Sequence, residues 1–60
     1  MKYAVMIRER YARYLSPVWI THTVETDANV AYYSANGLRS QGYESRVVEY
    51  HSPEWEALVC

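Results

Sequence analysis

The chain is poor in the residues that small folds use as staples. Of its 60 residues one is cysteine, at position 60, so no intrachain disulfide can form. Its two histidines, His22 and His51, stand at no spacing from Cys60 that matches a zinc site. Nothing else in the sequence calls for a metal or a cofactor. There is no phenylalanine, and only two glycines and two prolines punctuate the chain. The longest apolar run, Tyr3 to Ile7, is far short of the roughly 20 residues a membrane span needs. Met1 and Lys2 are not followed by a signal-like apolar stretch, which makes a soluble, cytoplasmic protein the expectation. Charge of one sign is also missing. At a formal net charge of −1 the chain lacks the broad positive field that drives non-specific nucleic-acid binding, and this argues against such a partner.

What is present is an ordinary globular composition, 50% apolar and 22% charged, which predicts one folded domain over residues 1–60. A domain of this size hides only about 60% of its unfolded surface, and its core supplies roughly 3–5 kcal/mol. With disulfide and metal both ruled out, a second subunit is the remaining support, so self-association as a homodimer or higher oligomer is expected. Seven tyrosines and two tryptophans point the same way, because amphipathic aromatics suit surfaces where a ring meets a partner on one side.

Alternation predicts strands over residues 2–9, 18–25 and 43–50. In the first, both faces are apolar, which suits the centre of a sheet. In the second, Val18, Ile20, His22 and Val24 share one face and Trp19, Thr21, Thr23 and Glu25 the other. Between the second and third strands, Ala28, Ala31, Tyr32, Ala35 and Leu38 fall on one helical stripe over residues 27–41, with Thr26 and Asp27 as the capping pair and Gly42 as the stop. On the third strand Tyr43 and Val47 are expected to turn inward. Ser52 and Pro53 repeat a helix-start signal, predicting a short terminal turn that carries Trp55, Leu58 and Val59. Residues 10–17, closed by Pro17, read as a loop. The fold expected is an α+β domain of order ββαβ, its three-stranded sheet mainly antiparallel in the order 2-1-3, with the helix on one face.

One helix covers one face of such a sheet, so the other face is where a partner is expected. Its interface set is Met6, Trp19, Val48 and Tyr50, of types enriched at binding hot spots. The competing arrangement has Trp55 and Leu58 folding back over the same face as a second small core. A second constellation, Arg8, Arg10, Tyr11, Arg13 and Tyr14, joins three cations to two rings and is the alternative, a surface for phosphates and bases. No nucleophile, base or carboxylate pair stands out, so no catalytic residue is assigned and the chain does not read as an enzyme.

From Ala28 to Val48 the sequence, reading ANVAYYSANGLRSQGYESRVVEY if carried to Tyr50, resembles the helix-to-strand half of small ferredoxin-like and SPOR-type domains, in which an alanine-rich helix ends in L-x-x-x-G-Y before a strand. The resemblance covers about a third of the chain and rests on Leu38, Gly42, Tyr43 and Val47. The other half of the SPOR repeat has no counterpart, so peptidoglycan binding does not carry over. In length and style the whole chain resembles short proteins of actinobacterial phages and their hosts. That resemblance implies a small non-enzymatic modulator that binds a host protein in the host cytoplasm, and it designates no residue.

Overall fold

A computed structural model of the chain describes residues 1–10, 13–15 and 17–59. Three strands, β1 (Tyr3–Arg8), β2 (Ile20–Glu25) and β3 (Glu44–Glu49), form one antiparallel sheet in the order β2-β1-β3. Helix α1 (Ala28–Ser40) connects β2 to β3, and a shorter helix, α2 (Pro53–Val59), follows the last strand. The doubly apolar strand is central, as its composition requires. Ala4, Val5 and Met6 are fully buried, since helices close on β1 from both sides.

The ends of α1 follow from its flanking residues. Asp27, in extended backbone, accepts from the Asn29 amide through Oδ1 at 2.8 Å, a side-chain cap for a donor the helix leaves orphaned. At the other end Gly42 takes φ of +97°, which a residue with a Cβ rarely adopts. The Tyr43 amide then donates to the Leu38 carbonyl and the Gly42 amide to the Arg39 carbonyl, each at 3.1 Å, the paired bonds of a Schellman stop. Ala31, Ala35 and Leu38 are buried against Val5, with Tyr3, Ile7 and Val47 packed around them. Two expectations fail here. Tyr32 is 55% exposed, because the alanines draw the helix close to the sheet and leave no room for a ring at the margin of the stripe. Tyr43 precedes β3 and is exposed, whereas Val47 turns toward α1 as expected.

The second strand departs further from its pattern. Val5 lies opposite Thr23 but Met6 lies opposite Thr21, so His22 has no partner on β1 and forms a bulge. Facing residues of an antiparallel pair share a side, and the bulge therefore reverses the alternation part-way along β2. Ile20 keeps the side of α1, while Thr23 replaces Val24 there and Val24 moves to the opposite side with Ala4. Helix α1 lies over β1 and β3 and reaches β2 only at its margin. For this reason Val18, Ile20 and Val24, expected beneath the helix, are exposed to 59%, 50% and 38%.

Among the described residues no helix is long and apolar enough to cross a membrane.

Candidate functional site: the arginine-bearing end of the sheet

Ser52 starts α2. Its hydroxyl accepts from the Trp55 amide at 3.2 Å and its carbonyl from the Glu56 amide at 3.0 Å, with Pro53 at the first helical position. His51, in left-handed backbone at φ 64°, reverses the chain so that α2 returns across the sheet face opposite α1. Trp55 and Leu58 pack there on Ala4, Met6 and Val48, with Trp19 and Tyr50 at the edge of the cluster. A relay fixes the contact: Trp55 Nε1 donates to Thr21 Oγ1 at 3.0 Å, and that hydroxyl donates to Met6 Sδ at 3.4 Å. The rings of Tyr50 and His51 stack at 3.8 Å, and Trp55 meets Tyr50 edge-on at 5.1 Å.

The four residues expected at an interface are thus brought together, but as a small core. Met6 is fully buried and Val48 is 5% exposed, so neither presents surface to another molecule. The cover is the chain's own α2, because a domain this small gains most by burying its apolar face internally. Trp19 and Tyr50 remain half-buried at the rim.

Beyond Met6 the same face is not enclosed by the cluster, and there it changes character. Arg8 and Arg46 both lean over the Trp19 indole, their guanidinium carbons 4.7 and 5.2 Å from the ring centroid. Arg8 also pairs with Glu44 across the β1–β3 ladder at 2.9 Å, yet its Nε is enclosed and has no acceptor. Arg46 is exposed and, among the described residues, forms no ion pair. Around the end of the sheet Arg39 donates from Nε and Nη2 to the Ser45 carbonyl at 3.2 and 2.9 Å. Arg10 and Leu15 form an isolated bridge that pinches the loop carrying Arg13. Arg10, Arg39 and Glu44 line an open recess there with Tyr43.

Of the second constellation, Arg8 belongs to β1 and Arg10, Arg13 and Tyr14 to the adjoining loop; Tyr11 lies outside the described residues. This group joins neighbours along the chain and omits Arg39, which arrives from α1, while Arg46 arrives from β3 on the face expected to be open. Strand order 2-1-3 sets Arg46 opposite Met6, on the Trp19 side, as its place in the alternation of β3 implies. Arg39 bears on the Ser45 carbonyl only through the Schellman turn, whose geometry a lone Gly42 does not specify.

Charge is accordingly divided between the two ends. Arg8, Arg10, Arg13, Arg39 and Arg46 sit with Glu9 and Glu44 at one end, an excess of three positive charges. Lys2 sits with Glu25, Asp27 and Glu49 at the strand and helix ends opposite, an excess of two negative charges, while Glu54 and Glu56 lie on α2 beside Trp55. Among the described residues no three His, Cys, Asp or Glu side chains converge as metal ligands, and Cys60 lies outside them. Comparison with protein-family models, with curated proteins and with solved structures found no match.

Proposed function

We propose that the protein is a non-enzymatic binding module, and that it meets its partner on the uncovered end of the α2-side face, with Trp19 as the anchor. The observation that carries this reading is the half-buried indole at the edge of the apolar cluster, lying under two guanidinium groups. A protein partner, the first expectation from the sequence, would find there the residue types that dominate interface hot spots. The alternative, a nucleic-acid strand, is favoured by the division of charge, which gathers five of the six basic residues at this end.

Comparative capture tests the surface. The protein and its Trp19→Ala and Arg46→Ala variants are immobilised and exposed to cell lysate with and without nuclease, and each variant is melted by circular dichroism. The expected result is loss of the captured partner by both variants with the folded spectrum retained, because Arg46 supports no core contact. Capture unaffected by either substitution would place the working surface elsewhere.

A further inference from the structure

We propose that the ligand of the arginine-bearing end is single-stranded nucleic acid, its phosphates held by Arg10, Arg13 and Arg46 and one base stacked against Trp19. This rests on the reading of that end as the working surface and names its ligand class.

A net charge of −1 opposes a polyanion only if the whole molecule acts as one charge. It does not, because β1 spans about 17 Å between the two charged ends, and at physiological salt fields decay over about 8 Å. Glu25 and Glu49, at the far strand ends, therefore lie about two screening lengths from Arg8 and Arg10, and a strand approaching the arginines meets their local excess of three charges. Composition hides this, since it sums over both ends.

Guanidinium groups suit phosphate geometry, and they also lie flat on π-faces. Here two of them already lie on an indole, an arrangement in which a base can replace one guanidinium on the ring while that arginine swings to a phosphate. Arg46 is the one placed to do so, because Arg8 is tied to Glu44 and Arg46 forms no ion pair among the described residues. An acidic protein segment would use the same charges, but its carboxylates have no flat face to stack on the indole as a base has. Duplex DNA would offer its phosphates while keeping its bases stacked away from Trp19.

The test is fluorescence anisotropy with a labelled oligothymidylate of about 16 nucleotides, a length suited to a small single-strand site. Three arginine–phosphate contacts predict a log–log salt slope near −2.1, a loss of roughly 20-fold in affinity between about 50 and 200 mM salt. Arg46→Ala and Arg13→Ala should each make the slope shallower by about 0.7, whereas Glu25→Gln at the opposite end of the sheet should leave it unchanged. Trp19→Leu should cost roughly tenfold or more at an unchanged slope, because it removes stacking and no charge. If Trp19→Leu unfolds, Arg46→Ala still decides through the slope. Equal affinity for duplex would overturn the proposal in favour of phosphate recognition without stacking, and displacement of the oligonucleotide by poly-glutamate at equal charge concentration would overturn it in favour of an acidic protein. Absence of oligonucleotide binding with Trp19-dependent capture from lysate intact would overturn this inference and leave the binding-module reading standing. Absence of both would overturn both.

Discussion

The two faces of the sheet are closed by different means. Beneath α1, 13 residues of capped helix lay a stripe of two alanines and a leucine on β1 and β3. On the opposite face a helix of seven residues, none of them fully buried, encloses Ala4, Met6 and Val48 through Trp55 and Leu58, with a hydrogen-bond relay to Thr21. The first face is closed by periodic apolar contact along a whole element. The second is closed by two side chains on a helix that begins at a left-handed His51. A cover that short ends before the sheet does, and what it leaves out is the Arg8, Trp19 and Arg46 strip. The size of the second helix thus determines where this molecule has a surface with unusual chemistry.

That contrast can be broken most severely at Leu38. Replacing it with alanine removes the largest aliphatic group on the stripe, and the expected loss is about 2–5 kcal/mol, enough to unfold a domain with so small a core. Urea denaturation followed by far-UV circular dichroism measures it, and an unchanged midpoint would mean that α1 does not carry its face. Trp55→Ala attacks the other cover. The indole is half-buried, so a loss of about 2 kcal/mol is expected, below the range for a fully buried tryptophan. Because Met6 and Val48 would then be exposed, the variant should bind a hydrophobic dye while retaining the sheet spectrum. A loss larger than that of Leu38→Ala would reverse the ranking of the two faces. The smallest effect is a gain. Gly37 lies mid-helix on the exposed side of α1, and an added Cβ meets nothing within 4 Å, so Gly37→Ala should raise stability by about 0.5–1 kcal/mol. A thermal midpoint that falls would show that the glycine has a role beyond its helical cost.

The elements were legible because local chemistry and tertiary need agree in them. Tyr3 to Arg8 is apolar on both sides and is central; Asp27, Gly42, Ser52 and Pro53 mark helix ends and do so in the fold. Strand order followed from the same reasoning. Two features were not legible. The bulge at His22 inserts one residue into an otherwise regular alternation, and nothing in V-W-I-T-H-T-V-E announces where the period slips. The direction taken by α2 was also hidden, since a tail of seven residues fits equally as a free turn or as a cover. Both omissions bear on the site. The bulge moves Val24 to the side of the second core, and the return of α2 converts Met6 and Val48 from contact surface to interior. The charged end was obscured for a different reason, that net charge and loop composition carry no information about which ends of antiparallel elements meet.

The two indoles report on the central claim within one spectrum. Trp55 Nε1–H is bonded to Thr21 in the closed core, and Trp19 lies beneath the arginines at the uncovered end. In a nitrogen–proton correlation titration with oligothymidylate, the account predicts that the Trp19 indole resonance and the Arg46 amide move progressively to saturation while the Trp55 indole stays in place. A moving Trp55 resonance with Trp19 unmoved, or saturation of binding with neither displaced, would contradict it.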